Sequence, residues 1–451
     1  MARLAKKCIL LVLILCMVIP AAALAASPVT KTVNVTTAAE MKTAFYDEFV
    51  AINSGSQGTH LVINIMNDID MGDVTWEAQK VNNDGRYFFL TVNGNNHTIT
   101  GLKNMLVAGT WAGEGGVKMS NLTLSKVNIV FNAADNPETD GVGAFIGMPS
   151  SNGGHIKLEN CHLIDSHVEG GHWTGGMIGY ASGYSGNDGP VFMNVDIIGC
   201  SVLNSTITGK GSVGGVMGHA LGDPWTGVSI ETAVVGNTIT STGSSKEKAG
   251  ALVDTLGTAG NSMQPAGEEE KTGFLNFENC AAVENDVTSG GEEIKRIFGR
   301  RGSATEIAVE GGIFDQHEDD QNASELKINK TGNPVFRDEL GIIIFKDGEN
   351  GNVFDDAKYY MRKGDKTEVF AVPEREDFVF VGWSPAVAET VTGDATYTAM
   401  WMEAPAGGTA VPGSKVPTTG DNTPIAMLAI LLALSAGAMV WTNTKRKANQ
   451  H

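Results

Sequence analysis

A glycine-rich motif of five residues recurs in the middle of the chain and restricts its fold more than any other feature. The motif stands at residues 143–147, 175–179, 214–218 and 250–254, at intervals of 32, 39 and 36 residues. Repeats of this length predict a solenoid, because one unit is too small to bury its own apolar side chains and must stack on the next.

The segments between the motifs show the alternation of apolar and polar residues that is typical of short strands, and no long helical pattern separates them. Each unit also carries a marker residue, and in four units it stands seven residues before an apolar residue of a later strand: Leu122 and Ile129, Cys161 and Val168, Cys200 and Ile207, Cys280 and Val287. In one unit Asn237 takes the marker position, only two residues before Ile239, which predicts a shortened turn there. We therefore predict stacked parallel strands, with an antiparallel sandwich as the alternative.

The glycines of the motif are expected at corners of the coil. There they allow a positive φ or the close approach of two backbones. The alternation of side chains along a strand predicts that Ile178 points into the stack and that its neighbour Met177 points away from it.

Residues 116–300 resemble GLUG-type repeats, which are named for a Gly-Leu-x-Gly core and occur in bacterial surface β-solenoids. The earlier segment 92–102, with the sequence VNGNNHTITGL, is similar to a rung of a right-handed parallel β-helix. These resemblances imply a mainly β fold in which a right-handed parallel β-helix covers residues 60–320.

Residues 27–59 are predicted to cap the N-terminal end of this solenoid. Thr37 and Glu40 have the spacing of a capping box, which marks the start of a helix. Four apolar residues then fall on one helical face: Met41, Phe45, Phe49 and Ile52. An amphipathic helix here would cover apolar side chains at the open end of the stack.

Residues 342–402 read as a separate small module. Its segments FVFVGW at 378–383 and ATYTAMW at 395–401 resemble the Listeria–Bacteroides repeat, a β-grasp-like module of surface proteins. Trp383 and Trp401 are expected to anchor its core, since large aromatic residues bury much apolar area in a small domain. A linker rich in Ala, Pro and Gly follows at residues 403–415.

Residues 1–26 have the three parts of a secretory signal peptide. A cationic start precedes an apolar run of 12 residues and a stretch of small residues, and cleavage is predicted after the Ala23-Leu24-Ala25 motif or one residue later, at Ala26. The apolar run is shorter than the roughly 20 residues that a membrane span needs, so export is favoured over a membrane helix.

The C-terminal residues 416–451 combine three features in order. These are the pentapeptide Val416-Pro417-Thr418-Thr419-Gly420, an apolar segment at 424–441 that is long enough for a membrane helix, and a basic tail at 445–447. This order resembles the LPXTG-type sorting signal of Gram-positive wall-anchored proteins, with Val416 in place of the usual Leu. The resemblance implies that a sortase cleaves between Thr419 and Gly420 and joins Thr419 to peptidoglycan, so that only the precursor stays in the cytoplasmic membrane.

The formal net charge of −19 argues against a nucleic-acid partner, which requires a basic face. No cofactor and no metal site is predicted, because the spacings within one histidine-rich repeat place successive imidazoles on opposite faces of a strand. These histidines are His155, His162, His167 and His172. The three cysteines after the signal peptide are expected to be buried free thiols, and a disulfide between Cys161 and Cys200 is the alternative if the two stack.

The connections between repeats are irregular at 181–190, 221–227 and 257–273. We predict that these loops line one side of the coil and that Tyr184 and Trp225 contact a ligand, unless both fold back over the apolar flank of the coil. The sequence thus predicts a non-enzymatic, wall-anchored surface protein, an adhesin or binding scaffold for a host or environmental glycan or protein. The alternatives are a polysaccharide lyase or glycosidase built on the coil, and a structural stalk.

Overall fold

We describe the fold from a computed structural model, in which most of the chain between Val29 and Ala404 is placed. The described residues are 29–48, 59–82, 88–111, 116–131, 141–150, 154–181, 184–186, 189–191, 193–220, 226–243, 249–256, 274–294, 296–299, 306–317, 327–349 and 352–404. The predicted signal peptide and sorting signal, including the apolar segment 424–441, lie outside these ranges. Within them, no helix is long and apolar enough to cross a membrane.

The described chain is mainly β, and most of it forms a solenoid built from four largely parallel sheets. The first sheet has 13 strands: Val29–Val35, Thr59–Ile65, Ile69–Asp70, Phe88–Thr100, Gly116–Ser125, Gly154–Ile164, Met193–Leu203, Thr226–Val235, Phe274–Glu278, Ala281–Val283, Glu306–Glu310, Ile313–Phe314 and Lys327–Thr331.

The other three sheets are narrower. The second sheet contains Asn128–Val130, His167–Glu169, Thr206–Gly209, Thr238–Ser241, Asp286–Ser289 and Glu292–Glu293. The third sheet contains Gly141–Gly143, Trp173–Gly175, Ser212–Gly214 and Ala249–Gly250. The fourth sheet contains Gln79–Asn82, Val107–Trp111, Ile146–Ser150, Ile178–Ala181, Met217–Ala220 and Val253–Leu256.

One repeat makes one turn of the coil. Residues 154–181 pass through the four sheets in order, and residues 193–220 lie directly on them with a register offset of 39 residues. Each parallel strand therefore pairs with its counterpart in the next repeat. The prediction of stacked parallel strands is confirmed for these residues, and the antiparallel sandwich is excluded.

The interior of the coil is apolar and continuous. Apolar side chains of the first sheet are buried, among them Val92, Ile99, Leu158 and Ile197, and they belong to one cluster that runs along the stack. The marker positions Leu122, Cys161 and Cys200 belong to the same cluster.

Two details of the repeat differ from the prediction. Met177 is as fully buried as Ile178, because residues 176 and 177 form the bend between the third and fourth sheets and strand alternation does not extend across it. The prediction that Asn237 holds the marker position is also wrong. Thr232 pairs with Cys200, after a register shift that omits the counterpart of Gly199, so the spacing of seven residues to Ile239 is kept and the turn is not shortened.

The motif glycines allow the third and fourth sheets to approach back to back. A Cβ atom on Gly179 would lie 2.2 Å from the backbone nitrogen of Val142, and one on Gly218 would lie 2.5 Å from that of Thr174. Neither glycine has a positive φ. Close approach, rather than left-handed backbone, is therefore what the motif requires at these positions.

The capping box at the N-terminus is confirmed. Thr37 Oγ1 accepts a hydrogen bond from the Glu40 amide, and the Glu40 carboxylate accepts one from the Thr37 amide, both at 3.2 Å. The helix Ala38–Thr43 continues into a π-helical turn, Ala44–Glu48, and buries Met41 and Phe45 against the core. The strand Val29–Val35 already pairs in parallel with Thr59–Ile65, so the first sheet begins inside the segment predicted as the cap. Phe49 and Ile52 lie outside the described residues.

The C-terminal module is a mixed four-stranded sheet in the order Ala357–Arg362, Leu340–Lys346, Ala395–Glu403, Phe378–Ser384, preceded by the 3-10 turn Arg337–Glu339. Trp383 is 9% exposed in its core, and Trp401 packs against that core while its indole N–H donates to the Asp347 carbonyl at 2.7 Å. Both predicted anchors thus pack in the module.

The module is docked on the coil. Leu340 and Tyr360 of the module share a buried apolar cluster with residues at the last turns of the coil: Ala233, Ala281, Val283, Ile313 and Val335. Glu284 on the coil also accepts hydrogen bonds from Tyr360 and Lys358. The module that the sequence suggests to be separate therefore shares a buried interface with the coil.

Candidate functional site

The connections between repeats begin at one edge of the coil. The neighbouring strands Ile178–Ala181, Met217–Ala220 and Val253–Leu256 of the fourth sheet all end at this edge, and each is followed by one of the irregular segments. The chain then re-enters the first sheet at residues 193, 226 and 274. Because parallel strands end side by side, the three segments start from one line along the stack. We call this line the loop edge.

The two predicted contact residues belong to the loop edge by chain position. Tyr184 begins the short hairpin Tyr184–Gly186 and Gly189–Val191, in which its backbone pairs with Val191. Trp225 directly precedes the strand Thr226–Val235 and lies outside the described residues. Whether their side chains contact a ligand stays a prediction.

A group of rings stands at the strand ends where the loop edge begins. His172, Trp173, Tyr180 and His219 form this group, the aromatic cluster. The ring centroids of Trp173 and Tyr180 are 4.5 Å apart, and those of Tyr180 and His219 are 5.0 Å apart in a stacked arrangement. His172 meets Trp173 edge-on at 4.9 Å. His172 is exposed, Trp173 and Tyr180 are half-buried, and His219 is buried.

The tight bend at residues 176 and 177 creates the aromatic cluster. Trp173 opens a strand of the third sheet, and Tyr180 lies in the strand of the fourth sheet that follows the bend. The back-to-back approach of these two sheets places their rings side by side, and the register then sets His219 directly next to Tyr180.

Sequence reasoning missed the aromatic cluster, although one signal pointed to it. Tyr180 and His219 each follow the last glycine of a motif, Gly179 and Gly218, and therefore hold the same place in successive repeats. The sequence alone did not show that Trp173 lies beside these two residues, because their proximity depends on the reversal of the chain between the third and fourth sheets.

The remaining histidines of this repeat have separate partners. His155 contacts Asp196 at 2.6 Å, His162 contacts the Ser201 hydroxyl at 2.8 Å, and burial lowers the pKa of His162. In the part of the chain that the structure describes, no group of three or more His, Cys, Asp and Glu side chains could hold a metal ion.

The three described cysteines are buried free thiols, as predicted. Cys161 and Cys200 lie on adjacent turns, and the Cys161 amide donates to Cys200 Sγ at 3.4 Å. Burial raises the pKa of the Cys280 thiol to about 12 and raises the pKa of Cys200 well above its usual value. Neither thiol is suited to nucleophilic chemistry, because the reactive species is the thiolate.

A cavity also lies along the seam between coil and module. This cavity of about 310 Å³ is lined by His317, Arg337, Asp338, Lys363, Gly393 and Asp394. The Arg337 guanidinium binds the Asp394 carboxylate through two hydrogen bonds, of 3.2 and 2.6 Å, and these lower the pKa of Asp394. Since the same aspartate also accepts from the Ile342 amide at 2.9 Å, this ion pair fixes the 3-10 turn Arg337–Glu339 against the strands of the module.

Comparison with known proteins adds little to this description. No protein-family model and no curated protein matches the chain. A solved structure from Bacteroides ovatus, described as "a putative immunoglobulin A1 protease", aligns with 16% identity and a TM-score of 0.43 over 68% of this chain and 83% of that one. A TM-score of that size carries no argument, so the function has to be inferred from the chain's own residues.

Proposed function

We propose that this chain is a surface protein that is exported, attached to the cell wall through Thr419, and used to bind a ligand along the loop edge. In this proposal the coil is a right-handed parallel β-helix, the hand that connections between parallel strands nearly always take. The helix of residues 38–43 caps its first turns, and the module at its other end is β-grasp-like.

Attachment is supported by the order of segments in the sequence. A signal peptide, a pentapeptide with proline and threonine at its second and fourth places, an apolar segment and a basic tail occur together, each in the place that sorting requires. The membrane segment would then serve only the precursor, and sortase and peptidoglycan would be the partners at this end.

Binding is supported by one observation, the convergence of the irregular segments on the loop edge. The strands of the coil stack with only a few register shifts, whereas the connections at 182–192, 221–225 and 257–273 differ in length and composition. Loops that vary on a regular scaffold are where proteins usually carry recognition. This arrangement favours a binding scaffold over a plain stalk.

Attachment is tested in the native host by the variant Thr419→Ala, with Thr418→Ala as the matched control. We expect Thr419→Ala to remove the protein from the covalent peptidoglycan fraction and to leave it with the membrane, because the sortase would not recognise or cleave the pentapeptide without the Thr419 side chain. Thr418→Ala should still reach the wall. Covalent peptidoglycan linkage of the Thr419→Ala protein would refute the proposed attachment.

Binding is tested by the adherence of cells that display the full chain with Tyr184 and Trp225 both changed to Ala. Adherence should fall while the melting temperature of the purified chain stays unchanged. A large loss of stability would show instead that the two rings cover the apolar flank of the coil. Unchanged adherence would show that neither Tyr184 nor Trp225 contacts the ligand.

A further inference from the structure

The aromatic cluster is a half-open ring surface on an otherwise regular coil. Along the third sheet, Trp173 is flanked by Gly141 on one turn and by Ser212 on the next. Neither neighbour carries a large side chain, so nothing bulky in that row stands beside the indole. Its ring contacts are made across the bend with Tyr180, along the chain with His172, and with His219 of the next turn at 5.8 Å.

The rings are held in place by the fold. Tyr180 pairs through its backbone with His219, and the rings of the two stack with an interplanar angle of 29°. His219 is itself only 8% exposed. A fixed ring costs little entropy when a ligand settles on it, which is why rigid aromatic residues dominate binding surfaces.

The polar atoms at the rim complete the site. The indole N–H of Trp173 has no hydrogen-bond acceptor among the described residues, although tryptophans normally find one when buried. It can therefore donate to a ligand. The exposed imidazole of His172 beside it offers one donor and one acceptor in its neutral form. The aromatic cluster thus offers an apolar platform with a few polar groups at its rim.

We propose that the aromatic cluster binds a neutral sugar residue of a glycan, with the C–H face of the sugar ring on Trp173 and Tyr180. A sugar has an apolar face ringed by hydroxyl groups, and the aromatic cluster presents the complementary arrangement. The net charge of −19 repels anionic glycans at long range, so the neutral glycans are selected. This inference rests on the proposed display of the coil at the cell surface and names the class of its ligand.

The test is a titration of the purified chain with lactose, cellobiose and N,N′-diacetylchitobiose, followed by saturation-transfer NMR. We expect at least one of the three to bind with a Kd on the order of 1 mM, the range that a single stacked sugar can reach. Sialyllactose, which adds a carboxylate to lactose, should bind no better than lactose at low salt.

Variants then place the ligand. Trp173→Ala should weaken binding at least tenfold, and Trp173→Phe should keep part of it, because the ring remains while the N–H is lost. The matched control is Phe89→Ala, which removes an exposed ring that also lies beside a histidine, His60, at 6.1 Å. It should leave the titration unchanged. If Trp173→Ala does not fold, the comparison of Trp173→Phe with Phe89→Ala still decides the location.

Two results would overturn the inference: no binding of any of the three neutral disaccharides to the wild-type chain, or equal weakening by Phe89→Ala and by the Trp173 variants. Either result leaves the wall attachment at Thr419 untouched, since that is measured in cell fractions. Conversely, sugar binding by the purified chain would survive a failure of the sorting experiment, so the two proposals are tested separately.

Discussion

Replacing Gly179 by Ala tests the back-to-back contact that defines the repeat. The added Cβ would lie 2.2 Å from the Val142 nitrogen and 2.6 Å from the Gly141 carbonyl carbon, both in the third sheet. Both are backbone atoms, which cannot rotate away, so the third and fourth sheets would have to separate by about 1 Å to reach ordinary van der Waals contact. Overpacking of this kind costs roughly 1–3 kcal/mol, and we expect the upper end here because no flexible side chain can yield.

The assay is a thermal melt of the purified chain followed by circular dichroism. A loss of about 3 kcal/mol corresponds to a fall in melting temperature of roughly 6–12 °C, at about 2–4 °C per kcal/mol for a large domain. Gly218→Ala should behave alike, since its Cβ would meet the Thr174 nitrogen at 2.5 Å. Gly393→Ala is the control, because nothing lies within 4 Å of its Cβ position. If Gly179→Ala has the same melting temperature as the parent chain and as Gly393→Ala, the third and fourth sheets do not approach each other as closely as described.

Two further predictions concern burial and charge. Met177→Asp should destabilise the coil as much as Ile178→Asp, by roughly 3 kcal/mol or more, because both side chains are fully buried and an unpaired charge would lose its hydration. A much smaller effect of Met177→Asp in the same melts would show that Met177 points away from the core, as strand alternation predicts. Burial and the charge of Glu278 on the next turn raise the pKa of Glu231, so stability falls as pH rises through that raised pKa. Glu278→Gln should therefore stabilise the chain at pH 7 by roughly 0.2–1 kcal/mol, and this gain in stability should vanish near pH 4. The control Glu376→Gln, at an exposed position, should show no such pH dependence. An equal gain in stability at both pH values would exclude charge repulsion as the cause.

The coil itself could be predicted because its signals are local. Residues such as Leu158 and Ile197 sit in the middle of strands, where alternation decides which side chains enter the core. The signal failed where the chain bends, as at Met177, because two successive side chains can both point inward there. It failed again at Thr232, since a polar residue gives no sign that it holds the buried place that Cys200 holds one turn earlier.

The candidate site is harder to predict because it forms between sheets. Trp173 and Tyr180 are seven residues apart, and only the reversal at residues 176 and 177 brings their rings to 4.5 Å. That reversal depends on the glycines that allow the sheets to touch. A change at Gly179 would therefore act on the aromatic cluster as well as on stability.

The docked module affects how such a site would work at a surface. A single stacked sugar binds weakly, so adhesion through the loop edge would need several contacts made at once, which succeeds only when the sites keep a fixed spacing. The in-register turns provide that spacing along the coil, and the apolar cluster that includes Leu340 and Tyr360 extends the packed structure to the module. The linker that follows, at residues 403–415, reaches at most about 45 Å when fully extended. In the proposed display, the packed coil and module would set the orientation of the loop edge. Glu284→Gln weakens the contacts of the coil with Lys358 and Tyr360 of the module, so it should reduce adhesion by cells more than it reduces sugar binding by the purified chain in the NMR titration.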